Sequence, residues 1–221
     1  MACFLLINKA YKENIMIIKT VPVCGIIETN AYFYIDEKSK HGFLIDAGAE
    51  ADKLLRIIKD NDWIIEKILI THGHFDHIGA VEKISKTLQI PYLAHENARE
   101  YLPNPTYNLS AFWDDDIVLN EAEYFADGAE IALAAAPDIK LKVIHTPGHT
   151  QDSVIFYNAA DNVAFVGDTI FKYGMGRTDF PGGDLKQLLG SIKDKIFTLP
   201  AATELYSGHS EPTTVAAEQH G

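Results

Sequence analysis

The sequence predicts an α/β fold of two βα halves that face each other. Three observations carry this. Apolar runs rich in Ile, Val, Tyr and Phe alternate with amphipathic helical patterns. Gly42 to His74 and Ala164 to His209 repeat one order: strand, aspartate, helix, strand, histidine. The candidate chemical groups fall at the ends of predicted strands, so facing halves bring them to one edge.

The elements follow in order. Met16 to Val23 and Ala31 to Ile35 read as paired strands, and Asp36 to Lys40 as a polar hairpin turn. Gly42 to Ile45 is a third strand, ending at Asp46. Leu54, Leu55, Ile57 and Ile58 mark a helix over Ala51 to Asp60. Lys67 to Ile70 is a buried strand, and Ile78, Val81, Ile84 and Leu88 recur at helical spacing. Pro91 to Ala94 reads as a short strand and Glu96 to Leu102 as a short helix, with His95 as a capping or surface residue before it. Pro103 to Asp116 is an aromatic loop. It is placed either to wall a cleft or to pack in the core, and core packing is the reading taken for Trp113. Ile117 to Leu119, Lys140 to Thr146, Ser153 to Tyr157 and Val163 to Val166 read as a second set of strands. A glycine-rich loop, a helix from Leu185 to Ile196 and a last strand over Thr203 to Tyr206 complete the pattern.

Composition sets the bounds. A chain of 221 residues with 47% apolar and 23% charged residues has the length and balance of one globular enzyme domain. Residues 16–221 are read as that domain and residues 1–15 as an N-terminal appendage. The net charge of −12 argues against a nucleic-acid groove. No run approaches the roughly 20 apolar residues of a membrane span. Cys3 and Cys24 make no disulfide scaffold and sit in no ligand motif, so two free thiols in a reducing cytoplasm are expected.

The chemistry concentrates in Thr71-His72-Gly73-His74-Phe75-Asp76-His77. Neutral imidazole and carboxylate are the ligands that borderline divalent metals take. His72 and His74 can point one way from an extended segment, while Asp76 and His77, past the turn, can face a second point. Such a site requires further ligands, and His149, Asp168 and His209 each follow a strand-like run. His72, His74 and His149 would form one site and Asp76, His77 and His209 the other, with Asp168 able to bridge them. His145, close by in sequence, either faces the metals behind the ligands or packs structurally.

This pattern, His-x-His-x-Asp-His followed by Gly148-His149-Thr150, Gly167-Asp168-Thr169 and Gly208-His209, resembles the metallo-β-lactamase fold superfamily. The segments Gly167 to Phe171 and Gly176 to Asp184 are similar to its short, glyoxalase II-like hydrolases. The resemblance spans about Met16 to His209 and implies a four-layer αβ/βα sandwich with mixed sheets. It implies two divalent metal ions, zinc first, with iron or manganese also fitting the ligands. It implies that Asp46 buttresses the ligands, although a simple turn aspartate remains the alternative. Arg177 would contact a carboxylate of the substrate's thiol portion or else pair with Asp179 or Asp184, and Tyr173 would line the pocket.

The expected reaction is hydrolysis of a small thioester such as S-lactoylglutathione. No nucleophile-elbow serine is present and neither cysteine has a base partner, so metal-activated hydroxide is the expected nucleophile. Asp76 is read as a ligand that also orients it. The bridging carboxylate of Asp168 counts against true β-lactamase activity, and the full ligand set against a mononuclear iron persulfide dioxygenase. Hydrolysis of lactones or other esters by the same metal pair is the alternative. The helical C-terminal region of full-length glyoxalase II is not expected here, which leaves the identity of the thiol portion open.

Overall fold

The computed structural model describes residues 15–113 and 116–219. The expected appendage, with Cys3, lies outside the described residues except for Ile15.

Period-two alternation builds the first sheet. β1 (Met16–Cys24) and β2 (Glu28–Asp36) form an antiparallel hairpin, and β3 (His41–Ile45) returns antiparallel to β2. The chain then crosses through α1 (Ala51–Asp60) to β4 (Ile64–Leu69), parallel to β3. Next come a single helical turn, α2 (Phe75–Ile78), then α3 (Val81–Leu88) and β5 (Tyr92–His95), parallel to β4. Residues 96–102 form only a 3-10 turn over Glu96–Arg99, where a longer helix was expected.

Residues 116–122 are not a strand, contrary to the pattern of Ile117 to Leu119. Leu119 packs in the core and its N–H donates to the Leu102 carbonyl, which anchors the segment outside any ladder. The sheet closes instead on β6 (Glu123–Phe125), parallel to β5.

The second sheet begins with three antiparallel neighbours, β7 (Glu130–Ala132), β8 (Lys140–His145) and β9 (Val154–Asn158). β10 (Val163–Gly167) follows antiparallel to β9. After the small hairpin β11 (Ile170–Phe171) and β12 (Gly174–Met175), α4 (Leu185–Ser191) continues into a wider turn over Ile192–Ile196. β13 (Glu204–Ser207) then lies parallel to β10, and β14 (Thr213–Thr214) and α5 (Val215–Gln219) end the described chain. The repeated order read in the sequence is therefore two parallel crossovers, β3-α1-β4 and β10-α4-β13.

Both sheets are apolar on both faces, and this sets the layers. Tyr32, Tyr34, Phe43 and Ile45 of the first sheet pack against Val143, Phe156 and Phe165 of the second. Their neighbours Phe33, Ile35, Leu44 and Ile68 point the other way, onto Leu54, Ile58, Val81 and Ile84 of α1 and α3. Ile155, Ala164, Val166 and Leu205 pack on Leu188, Ile192, Ile196 and Val215. The result is the expected four-layer αβ/βα sandwich with mixed sheets.

Phe156 is fully buried between the sheets, edge-on to Phe125 at 5.8 Å. Phe156→Ala is expected to cost about 3–5 kcal/mol, read as a lowered urea midpoint with unchanged slope.

Candidate metal centre

The C-terminal ends of β4 and β10 and the loops after β8 and β13 meet at one edge of the sandwich. The loop after β4 delivers His72 and His74, and α2 carries Asp76 and His77. His149 follows β8, Asp168 follows β10 and His209 follows β13. The structure brings all seven together as three overlapping groups: His72, His74 and His149; His72, His77 and Asp168; Asp76, His77 and His209. Within each group the donor atoms lie within 4.8 Å of one another.

Backbone spacing is tight here and glycine permits it. Gly208 has its α-carbon against the centre, and a β-carbon there would fall 2.3 Å from Asp168 Oδ1. Gly167 has φ +49°, and a β-carbon would meet Thr71 Oγ1 at 2.4 Å.

The far-side hydrogen bonds fix which ring nitrogens face inward. His149 Nδ1 lies 2.7 Å from the Arg177 carbonyl and His209 Nδ1 lies 2.8 Å from the Glu28 carbonyl. A carbonyl only accepts, so both Nδ1 atoms carry a proton. His77 Nδ1 faces Asp46 Oδ2 at 2.9 Å and donates likewise. Thr71 Oγ1 donates to Asp46 Oδ2 at 2.7 Å, which leaves its lone pairs for His72 Nδ1–H at 3.2 Å. In the neutral imidazoles the Nε2 atoms of His72, His77, His149 and His209 are therefore free donors to a cation.

These nitrogens face one another or carboxylates. His72 Nε2 and His149 Nε2 lie 3.1 and 3.0 Å from His74 Nδ1. His77 Nε2 lies 3.4 Å from Asp168 Oδ1, and both are buried without a hydrogen-bond partner. His209 Nε2 lies 3.1 Å from Asp76 Oδ2 and 3.2 Å from Asp168 Oδ2, the latter oxygen being 3.6 Å from His149 Nε2. Asp168 thus presents one oxygen toward His77 and the other between His209 and His149. Lone pairs directed at carboxylates require positive charge between them, so the donor set fits divalent cations.

Charge preferences divide the site. Burial pushes His72 well below the usual imidazole range, reinforced by His77 and His74, and lowers His149 too. Burial and His149 bring His74 to about 3. For His77 burial works in the same direction, but Asp76, Asp168 and Asp46 outweigh it and raise the ring well above its ordinary value. His209 is raised to about 10 because hydrogen bonds to Asp168 and Asp76 overcome burial. Burial opposes the charge on Asp76 and Asp168 as well, yet His77 and His209 hold Asp76 at about 2 and Asp168 well below the carboxylate range.

The other sequence candidates separate clearly. Asp46 is buried behind the His/Asp cluster and accepts from Thr71 N at 2.8 Å as well as from the Thr71 hydroxyl and His77. His145 is corrected to a packing residue: its ring stacks on His95 at 4.1 Å and its Nε2 contacts the Gln151 carbonyl at 2.8 Å. His95 itself is buried and caps its turn through Nδ1, which accepts from Asn97 N. Tyr173 is corrected as well. It sits at the β11–β12 turn with φ +61°, is 78% exposed, and borders a different depression with Leu189 and Phe197. Arg177 lines the cleft but is bound bidentately by Asp179 at 2.7 and 2.6 Å.

The cleft over the centre measures about 530 Å³. Trp113, expected in the core, is 48% exposed and walls this cleft beside Phe75, because the loop lies over the edge of the sandwich rather than between its layers. The sequence reading also passed over Asp152. It is buried, its Oδ2 accepts from Gly73 N at 2.8 Å between His72 and His74, and burial raises it to about 6. Its position three residues after His149 was the available signal.

An αβ/βα sandwich with a buried His/Asp centre at one edge defines a class of metal-dependent hydrolases. The chain belongs to the Metallo-beta-lactamase superfamily, whose profile matches residues 25–209. It is 30% identical over 214 residues to the hydroxyacylglutathione hydrolase GloC of Haemophilus influenzae, covering 92% of this chain and 95% of that one. Among solved structures it is similar to the BLEG-1 B3 metallo-beta-lactamase, with TM-score 0.87, 35% identity and coverage of 93% of this chain and 97% of that one. It is also similar to TTHA1623 in a di-iron-bound form, with TM-score 0.78, 31% identity and coverage of 90% and 96%.

Asp46→Asn places an amide where His77 Nδ1 and Thr71 need an acceptor, and favours the wrong tautomer at His77. Metal affinity is expected to fall about 10–100-fold, measured by competition with a chromophoric chelator. In the metal-free protein the site's contribution to stability should peak near pH 6.5, the ordinary imidazole value. Below it, the unfolded chain protonates while His74 stays neutral down to about 3, so stability is lost with acid. Above it, the stabilisation of charged His209 is lost as pH rises toward about 10. Urea midpoints across this range test both limbs.

Proposed function

We propose that this chain is a binuclear metal hydrolase that cleaves a small thioester, a class that includes S-lactoylglutathione. The observation that carries it is the cluster of seven donor residues, in which four histidines, His72, His77, His149 and His209, have their outward ring nitrogens held by Thr71, Asp46 and the carbonyls of Arg177 and Glu28. In this reading His72, His74 and His149 hold one ion, Asp76, His77 and His209 hold the second, and Asp168 faces both. Zinc is the first choice, and the di-iron form of TTHA1623 supports iron as a competitor. When bound, the ions would supply an acidified water and a Lewis acid for the carbonyl.

The chain's own groups do the rest. Asp76 stays ionised far below neutrality, and its Oδ2 accepts from Thr29 Oγ1 at 2.9 Å, so the carboxylate is fixed in orientation. It would orient the attacking water by accepting its hydrogen bond. Phe75, Phe112 and Trp113 wall the cleft above the centre, where they would face the substrate's acyl group.

Attack on a ring carbonyl by the same centre is the second reading. Ester and lactone hydrolysis share the chemistry, and the likeness to a B3 metallo-beta-lactamase adds a β-lactam to the panel. The reducing cytoplasm fits Cys24, a free thiol. Among the described residues no helix is long and apolar enough to cross a membrane.

The test is hydrolysis of S-lactoylglutathione, a lactone and a β-lactam by protein of measured metal content. About two ions per chain with thioester turnover, both lost in Asp168→Ala, is the expected result. Full metal loading with turnover of lactone or β-lactam alone would replace the thioesterase reading.

A further inference from the structure

We propose that the cleft selects a neutral, apolar acyl thioester or ester and discriminates against an anionic thiol portion. This rests on the hydrolase reading above and specifies its substrate.

The walls are apolar and wet. Phe75, Phe112, Trp113, Phe171, Met175 and Phe180 line the cleft, and Phe112 and Trp113 leave 66% and 48% of their surface exposed. Large aromatic side chains left to water around a concave site gain by covering apolar ligand surface.

The charges around the cleft disfavour an anion. Among the described lining residues Arg177 is the one side chain with a permanent positive charge. Asp179 occupies its Nε and one terminal nitrogen, and Phe180 stacks under the guanidinium at 3.9 Å. A substrate carboxylate must displace Asp179 to use the fork of donors, so the pair presents little net charge. A neighbouring depression shares Ile27, Phe75 and Asp76 with the cleft and is bordered by Glu50, Glu82 and Asp116. The whole chain carries −12. Positive charge bound at the centre would act on the reacting carbonyl. The carboxylates of a glutathione portion would sit many bonds away, over walls that are apolar or acidic. Discrimination follows from this unfavourable placement as much as from the apolar contacts.

The experiment uses a matched pair, S-butyryl-N-acetylcysteamine and S-butyrylglutathione, which share acyl group and thioester and differ in the charge of the thiol portion. The neutral substrate is expected to have a kcat/KM higher by about tenfold. Asp179→Asn, an exposed change that frees Arg177, is expected to narrow that ratio by about threefold or more. Trp113→Ala should lower turnover of the neutral butyryl thioester. Binding of the corresponding S-butyl thioethers to metal-free protein gives a second readout through the fluorescence of Trp113, since Trp63 is buried in the core. Tighter binding of the neutral thioether is expected there. Preference for the glutathione compounds, or a ratio unmoved by Asp179→Asn, overturns the proposal while leaving the hydrolase reading in place. If neither thioester is cleaved but the neutral thioether binds more tightly, the thioesterase reading falls and the selectivity of the cleft stands.

Discussion

The carboxylate of Asp46 is the interaction on which the centre depends. It lies at the end of β3 with φ +54°, buried, and takes three donors: the Thr71 amide, the Thr71 hydroxyl and His77 Nδ1. Through His77 it reaches the Asp76/His77/His209 group directly. Through Thr71 it reaches His72 and so the His72/His74/His149 group. One buried anion therefore sets the tautomers of two rings in two groups. Gly167 is bound to the same arrangement, since a side chain there would push into Thr71.

Without a cation the centre divides its protons unevenly. Three rings are driven neutral by burial, and two are driven to hold protons by Asp76 and Asp168. Binding a divalent ion at His77 and His209 displaces those protons, so affinity rises with pH. The surrounding structure has to over-determine the geometry. It does so with bonds from outside the ligand set: the Arg177 and Glu28 carbonyls, the Thr29 hydroxyl, and Asp152 on the Gly73 amide.

Much of this was legible in the sequence because metal-type donors cluster by local rules. His72, His74, Asp76 and His77 crowd into one strand-to-helix turn, and His149, Asp168 and His209 each close a strand-like run. Strand and helix periods located the layers. What escaped was long-range. Asp152 meets Gly73 across 79 positions, and no period of the sequence encodes that contact. The apolar Ile117 to Leu119 imitates a strand, but the Ile117 amide donates to the Ser110 hydroxyl and the Leu119 amide to the Leu102 carbonyl. His145 and Tyr173 sit near ligands in sequence yet are turned away, one by stacking on His95 and the other by the hairpin turn. Trp113 looked like core because aromatic residues usually are; the loop that carries it lies over the edge instead.

Neither half owns the centre. The half containing β3, α1 and β4 supplies His72, His74, Asp76 and His77, and the half containing β10, α4 and β13 supplies Asp168 and His209, with His149 from the loop after β8. The halves are locked at this edge by backbone bonds from Val154 N to Thr71 O and from Asn30 N to Gly208 O, and by Tyr32 Oη on the Ser207 carbonyl. Each of these bonds starts or ends within two residues of a metal-type ligand or of Asp168's glycine neighbours. The packing of the sheets and the assembly of the centre are consequently one event. Ligand binding to the native state alone then stabilises the interface between the halves as well as the site. A cleft built across that interface has its floor fixed from both halves, beneath an aromatic loop that leaves Phe112 and Trp113 open to a ligand.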